Sequence, residues 1–349
     1  MKKLSMKNNI SKGQAEINSV NFIDLFCGIG AFRIAFEKAC KNTNVNSQCV
    51  FSSDIDIYCQ KQYEDNFGEL PKGDITKIKA KDIPNHDVLL AGFPCQPFSI
   101  IGNRRGFADM RGTLFFDIAR IIEEKSPRAF VLENVKLLKG HDKGRTLSQI
   151  LETLKGMGYS VDYKIFNALN FGLPQKRERI FIVGFKKSSS FEWPSESIPM
   201  KSLSEILESH VPKHFYASDK IFKKRLKFLK QKPSKKPMIW HENKAGHISA
   251  YPYSCALRAG ASYNYLLVNG ERRLTPREMF RLQGIPDSYN IIGNDSQARK
   301  QAGNSLPVPV AQAVIENVLE SLQRDTKNYI PKYRSFEKQL ILCEPVYTF

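Results

Sequence analysis

Near its N-terminus the sequence has a strand, a glycine turn and a helix in direct succession. The apolar strand covers residues 20–27, the turn contains Gly28 and Gly30, and apolar residues at helical spacing follow it. A second strand, over residues 48–53, ends at Asp54, about twenty residues beyond the turn, where an acid that binds a ribose is expected. This succession predicts the first unit of a nucleotide-binding α/β fold, in which the glycines let the backbone approach a ligand closely.

Strands and helices continue to alternate through the first half of the chain. Further strands are predicted over residues 87–93, 128–132, 159–168 and 180–185, and helices over residues 114–124 and around residues 147–154. Such alternation is typical of an α/β fold with a mostly parallel, doubly wound sheet and helices on both faces.

The alternation ends after Lys187, and the composition then changes. Aromatic, glycine and serine residues over 251–270 favour hairpins and loops, so we interpret residues 188–290 as a smaller, irregular β-rich domain. A final helix is predicted over residues 308–322. The chain is therefore divided into residues 1–187, 188–290 and 291–349.

A charge balance of 53 Lys and Arg against 35 Asp and Glu gives a formal net charge of +18. A protein this basic most often binds a polyanion, with nucleic acid the leading candidate, although a generally basic proteome would give the same balance. Residues 220–236 carry nine basic residues and no acid. They predict an amphipathic helix, with Phe222, Leu226 and Leu229 on its apolar side, whose cationic face is either solvated or in contact with phosphates.

The seven cysteines form no Cys-x-x-Cys pair, and no secretory segment is visible, so we expect free thiols in the cytoplasm. The sequence also lacks an apolar run long enough to span a membrane, and it shows no metal site.

One thiol has an unusual position. The strand that ends at Gly92 is followed by Pro94, Cys95 and Pro97, and the prolines must turn the backbone out of the sheet. Cys95 therefore lies beyond the carboxyl end of a strand, where open α/β sheets place their chemistry, and it is either a nucleophile or an accident of sequence. Glu133, at the end of a neighbouring strand, can face the same crevice.

A thiolate, a carboxyl group and a nucleoside-type cofactor together favour methyl transfer to a poorly nucleophilic ring carbon such as carbon 5 of cytosine. Addition of the thiolate to carbon 6 activates carbon 5, and a carboxylic acid hydrogen-bonded to nitrogen 3 stabilises the negative charge that develops. The pKa of that acid must be raised for it to donate this hydrogen bond. The loop over residues 100–112, rich in glycine and arginine, is predicted to close over an anionic ligand.

Eight short motifs occur along the chain in one order. They are DLFCGIG at 24–30, GDI at 73–75, GFPCQPFS at 92–99, RGTL at 111–114, ENV at 133–135, QKRERI at 175–180, RLTPRE at 273–278 and GNS at 303–305. With these motifs in this order, the chain resembles the bacterial DNA (cytosine-5) methyltransferases of the restriction–modification type. The resemblance implies the class I fold of S-adenosylmethionine-dependent methyltransferases.

The resemblance also implies a role for individual residues. Cys95 corresponds to the nucleophile, Glu133 to the acid on the ring, and Arg179 to the arginine that contacts the cytosine. The implied contacts to S-adenosylmethionine are Phe26, Gly28, Gly30, Asp54, Asp74, Pro94, Asn304 and Ser305, with Asp54 on the ribose. The implied contacts to DNA are Gln96, Ser99, Ile101, Arg177 and Arg258, with Ile101 filling the emptied base stack. Arg177 is also expected to order its own loop.

As a member of this family, the protein would flip a cytosine out of double-stranded DNA and methylate carbon 5, protecting host DNA from a cognate restriction endonuclease. Residues 1–187 would then be catalytic, residues 188–290 would recognise the target, and residues 291–349 would return to the catalytic domain. Members usually act as monomers.

Three positions depart from the family pattern: Ala31 replaces a glycine, Asp54 a glutamate, and Ala256 the threonine of a Thr-Leu pair. Two alternatives stay open, an RNA cytosine-5 methyltransferase and a non-catalytic DNA-binding homologue. The recognised bases are not predicted by the sequence.

Overall fold

The computed structural model describes residues 19–94, 114–187, 190–229 and 234–327. The first seven strands are β1 Ser19–Leu25, β2 Asn46–Ser53, β3 Val88–Gly92, β4 Ala129–Val135, β5 Ser160–Asn167, β6 Gln175–Lys176 and β7 Glu178–Phe185. Six of them form the central sheet in the order β2-β1-β3-β4-β7-β5, and β6 lies outside it. The first four strands of the sheet are parallel and β7 runs antiparallel to β4 and β5, which confirms the mostly parallel sheet.

Both faces of this sheet are buried, as expected for a doubly wound fold. Along β1, Phe22 belongs to one apolar core and Ile23 to another, and Leu89 and Leu90 alternate in the same way along β3. Helices α1 (Ala31–Asn42) and α8 (Val308–Lys327) contribute to the first core, and α3 (Leu114–Lys125) and α4 (Arg145–Gly156) to the second. Helix α2 (Ile57–Phe67) follows β2.

The second part of the chain contains a small antiparallel sheet in the order β11-β8-β9. Its strands are β8 Ile239–Glu242, β9 Ile248–Tyr251 and β11 Leu266–Val268, while β10 Ser254–Cys255 pairs with β6. Helices α5 (Asp219–Phe228), α6 (Pro276–Leu282) and α7 (Asp295–Asn304) complete the described structure. Ile239, Leu266 and Phe280 join the same apolar core as Phe22, so the division at residues 187 and 290 stays a prediction.

Two details of the elements differ from expectation. Strand β4 continues to Val135, so Glu133 lies within the strand rather than after it. The predicted apolar side of the basic helix is also wrong at Leu226, which is 41% exposed. Arg225 is buried instead, at 2% exposure, because it donates hydrogen bonds to Glu242 and to the carbonyl of Asn264. None of the described helices is long and apolar enough to cross a membrane.

Candidate active site

The carboxyl edge of the central sheet opens into a cavity of about 690 Å³. Its walls are the segments that leave β1, β2, β3 and β4, together with the end of α7. The predicted site residues that line it are Phe26, Gly28, Asp54, Asp74, Pro94, Glu133, Arg177, Arg179, Asn304 and Ser305. Four other predicted residues, Cys95, Gln96, Ser99 and Ile101, lie outside the described residues.

The turn after β1 has three residues in the left-handed backbone region, Phe26, Gly28 and Gly30. Phe26 has φ 54°, a conformation that is costly for a non-glycine residue and that clusters at functional sites. Gly28 also has φ 54°, and a Cβ atom built on it would meet no other atom within 4 Å. Since Gly28 lines the cavity, the backbone here is open to a ligand.

Gly30, a predicted cofactor contact, does not line the cavity, and that contact stays a prediction. A Cβ atom on Gly30 would lie 2.3 Å from the ring of Phe67, so this glycine allows α1 to pack closely against α2. The backbone of Gly30 is also left-handed, with φ 79°, so both its conformation and its packing require glycine.

Two aspartates on the cavity wall are held by local hydrogen bonds. The carboxylate of Asp54 accepts from the backbone N–H of Gly28 at 2.7 Å and of Asp56 at 2.8 Å, and burial raises its pKa. Asp74 accepts from the hydroxyl of Thr76 at 2.7 Å and from its backbone N–H, and these bonds lower the pKa of Asp74. Each carboxylate retains acceptor capacity for a ligand hydroxyl or amine.

Glu133 and Arg179 meet across two neighbouring strands. In the β4–β7 register Glu133 lies opposite Phe181 and Val135 opposite Arg179, which makes Glu133 and Arg179 diagonal neighbours on one face. The Nε atom of Arg179 lies 2.8 Å from Oε1 of Glu133, but no hydrogen bond of good geometry from a described residue reaches that oxygen. Burial raises the pKa of Glu133 although Arg179 and Arg177 oppose this shift.

The strand that leads to Cys95 ends beside this acid. Gly92 is the register partner of Glu133, and a Cβ atom on Gly92 would lie 3.6 Å from Oε2 of Glu133. The side-chain amide of Asn134 donates to the carbonyl of Phe93 at 2.9 Å and so fixes the exit from β3. The chain therefore leaves the sheet toward Cys95 next to the Glu133 carboxyl group.

Arg177, a predicted DNA contact, is only 1% exposed. Its guanidinium donates to the carbonyls of Leu257 at 2.9 Å, of Gly303 at 3.0 Å and of Ser305. It therefore joins its own segment to two others that are distant in sequence. The roles predicted for Arg177, ordering its loop and contacting DNA, stay predictions.

Arg258 is exposed, and its guanidinium lies 4.9 Å from the centre of the Tyr265 ring. Its backbone N–H donates to the hydroxyl of Tyr265, and the preceding residue, Leu257, is held by Arg177. A DNA contact at Arg258 stays a prediction, from a loop anchored to the cavity wall.

No individual role is predicted from the sequence for Asp24, which is completely buried near the turn. Neither oxygen of its carboxyl group has a hydrogen-bond partner among the described residues, and burial raises its pKa to about 8. At neutral pH this carboxyl group is therefore mostly protonated in the folded protein.

Replacing Asp24 with asparagine is expected to stabilise the protein above pH 5. In the unfolded chain an aspartate ionises near pH 3.9, so above that pH the Asp24 carboxylate must take up a proton when the protein folds. The free energy of unfolding is therefore highest below pH 3.9 and falls as the pH rises toward 8. Asparagine does not titrate, so the variant avoids this loss of stability. The loss is on the order of 4 kcal/mol at pH 7, because each pH unit above 3.9 costs about 1.4 kcal/mol. Urea unfolding of both proteins between pH 4 and pH 8 measures this difference in the free energy of unfolding.

The exposed Asp82→Asn variant is the matched control, and its stability should follow the wild type at each pH. A Asp24→Asn protein that is less stable than the wild type at pH 8 would show instead that the Asp24 carboxylate is charged in the fold.

The mostly parallel sheet, the cavity at its carboxyl edge and the small antiparallel sheet define a class I methyltransferase fold. The chain matches the family model described as C-5 cytosine-specific DNA methylase over residues 20–320. It therefore belongs to this family and is a DNA (cytosine-5) methyltransferase of the restriction–modification type, for which a methyl-donor cofactor and a DNA substrate are implied.

Individual relatives agree with this assignment. The chain is 57% identical to the type II methyltransferase M.NgoBI of Neisseria gonorrhoeae, over 83% of this chain and 90% of the relative. It is 54% identical to the type II methyltransferase M.HaeII of Haemophilus aegyptius, over 87% and 94% of the two chains. The crystal structure of the S. pombe Dnmt2 methyltransferase shares the fold, with a TM-score of 0.65, 21% identity and coverage of 87% and 99%.

Proposed function

We propose that this protein transfers the methyl group of S-adenosylmethionine to carbon 5 of a cytosine flipped out of double-stranded DNA, through a covalent adduct with Cys95. The observation that carries the proposal is the continuous cavity, which has Asp54 and Asp74 on one part of its wall and the Glu133–Arg179 pair on another. The residues proposed to bind the cofactor and the acid–base pair proposed to act on the cytosine thus line the same cavity.

The residues around the turn after β1 fit S-adenosylmethionine. The open backbone at Gly28 leaves room for the ligand, and the Asp54 carboxylate, fixed by two backbone N–H groups, can accept hydrogen bonds from ribose hydroxyls. Phe26, Asp74, Pro94, Asn304 and Ser305 would complete the contacts. When bound, S-adenosylmethionine supplies the electrophilic methyl group that becomes attached to carbon 5.

Glu133, Arg179 and Cys95 would act on the cytosine. The Cys95 thiolate adds to carbon 6, and protonated Glu133 donates a hydrogen bond to nitrogen 3, where negative charge develops. Burial favours the protonated form of Glu133 by raising its pKa, and Arg179 pairs with its carboxyl group. Loss of the carbon 5 proton then allows the adduct to collapse and release Cys95.

Surface charge outside the cavity supports a duplex substrate. Helix α5 exposes Lys220, Lys223, Lys224 and Lys227, and Arg258 is exposed beside the cavity wall. Contacts from such side chains to phosphates would make binding weaken as the salt concentration rises. Gln96, Ser99 and Ile101 remain proposed DNA contacts on the loop that follows Cys95.

The biological role that follows is protection of host DNA from a cognate restriction endonuclease. That partner, the monomeric state and the cytoplasmic location stay predictions from the family resemblance and the cysteine usage. Membership of the DNA methylase family favours DNA over the RNA alternative.

The direct test supplies the purified chain with tritiated S-adenosylmethionine and either unmethylated duplex DNA or tRNA. We expect tritium in the duplex only, and nucleoside analysis should identify 5-methyldeoxycytidine. Label in tRNA, on adenine or on the exocyclic amine of cytosine would contradict the proposal. Bisulfite sequencing of the same DNA then identifies the recognised sequence.

A further inference from the structure

Two parts of the cavity wall that are far apart in sequence are joined by an ion pair. Asp56 precedes α2 and Lys300 lies in α7, and both residues line the cavity. The Nζ atom of Lys300 lies 2.7 Å from Oδ2 of Asp56, across 244 residues of sequence. The pair therefore connects the segment that follows β2 to the helix that ends at Asn304.

Asp56 is fixed by further hydrogen bonds. Its Oδ1 atom accepts from the backbone N–H of Tyr58 at 3.0 Å, as the N-cap of α2, which leaves Oδ2 for Lys300. Its own backbone N–H donates to Asp54 at 2.8 Å. Lys300 is thus linked through Asp56 to the carboxylate proposed to bind the ribose.

A second contact runs beside the ion pair. The side-chain amide of Gln301 donates to the carbonyl of Tyr58 at 3.1 Å, so two successive residues of α7 hold the start of α2. The same helix leads into Asn304 and Ser305, which line the cavity. Movement of α7 relative to α2 would therefore separate Asp54 from Asn304 and Ser305.

We propose that Lys300 and Asp56 are positioning residues for S-adenosylmethionine, because their ion pair holds the two walls of its cavity at the separation that the bound cofactor requires. A ligand that contacts both walls binds more tightly when they are already in place, since less ordering is needed on binding. The inference rests on the proposed function. It assigns neither residue a contact with the cytosine.

The test compares Lys300→Met and Asp56→Asn with the wild type. Asparagine is as good an N-cap as aspartate, so Asp56→Asn removes the charge and keeps the cap of α2. Calorimetric titration with S-adenosylhomocysteine should show affinity weakened about three- to fivefold in each variant, the range for a partly exposed ion pair. The KM for S-adenosylmethionine should rise similarly, with kcat within about twofold of the wild type.

Three further variants make the test specific. Lys300→Arg should restore the affinity, because arginine can keep the pair. The double variant should bind S-adenosylhomocysteine no more weakly than the single variant with the lower affinity, since both changes remove the same interaction. Lys61→Met, at an exposed lysine of α2 that does not line the cavity, should bind like the wild type.

Unchanged affinity in both single variants, or losses that add in the double variant, would overturn the proposal. So would a fall in kcat at constant KM, which would place Lys300 in the chemistry. A thermal midpoint lowered without a change in affinity would indicate a purely structural pair and also overturn it. If the wild type fails to bind both S-adenosylmethionine and S-adenosylhomocysteine, the proposed function fails instead.

Discussion

Replacing Cys95 with serine is expected to lower methyl transfer to duplex DNA at least about a thousandfold, because the proposed reaction begins with a thiolate. A serine hydroxyl has nearly the same size, but it is not ionised at neutral pH and is therefore a much weaker nucleophile than a thiolate. The rate of tritium transfer from S-adenosylmethionine under single-turnover conditions measures the effect directly.

The matched control is Cys255→Ser. Cys255 is half-buried, burial raises its pKa, and it does not line the cavity, so its replacement should leave the rate unchanged. Both variants should bind S-adenosylhomocysteine and duplex DNA as the wild type does. A Cys95→Ser protein within about tenfold of the wild-type rate would remove the covalent mechanism.

A second readout isolates the adduct itself. DNA that carries 5-fluorodeoxycytidine at the target base has no carbon 5 proton to lose, so the adduct cannot collapse. The wild type and Cys255→Ser should then form a complex that survives denaturing electrophoresis, and Cys95→Ser should form none.

The parts of the fold that the sequence predicted are those encoded locally. The apolar strands, the glycine turn and the acid at Asp54 each depend on residues close together in sequence, and the structure brings Asp54 to the turn through its bond with Gly28. The alternation of strands and helices was enough to predict a mostly parallel sheet, because short crossover connections allow few other arrangements.

The parts that could not be predicted depend on packing between distant segments. Arg177 and Arg179 are two residues apart in one motif, yet Arg177 is buried on three carbonyls while Arg179 reaches Glu133. The carbonyls come from Leu257 on one segment and from Gly303 and Ser305 on another, and no local pattern brings these two segments to Arg177. The Lys300–Asp56 ion pair could not be predicted from the sequence for the same reason. The position of Asp56 before a helix favours only its role as an N-cap.

At Gly30 and Arg225 the residue type attracts attention in the sequence, but its structural role could not be predicted. Gly30 is required by its left-handed backbone and by the close approach of the Phe67 ring. Arg225 lies in a segment whose basic residues suggested a solvated face, yet it is buried against Glu242. In both cases the deciding partner lies on another element.

Replacing Glu133 with glutamine is expected to lower kcat by about 10²- to 10⁴-fold, the range for removal of a positioned general acid. Glutamine has nearly the same shape but cannot place an acidic proton on nitrogen 3, so the charge that develops on the ring loses its main stabilisation. S-adenosylhomocysteine should bind with unchanged affinity, since the substitution alters the end of the cavity proposed to hold the cytosine.

The pH dependence separates this role from a structural one. Because burial raises the pKa of Glu133, its proton is retained to a higher pH than in an exposed glutamate, and wild-type kcat should fall on the alkaline side as Glu133 ionises. The residual activity of Glu133→Gln should lack that alkaline fall, as glutamine does not titrate. Glu178→Gln is the control, because Glu178 pairs with Lys136 outside the cavity and its loss should leave the pH profile unchanged. An alkaline fall that persists in Glu133→Gln would assign the essential proton to another group.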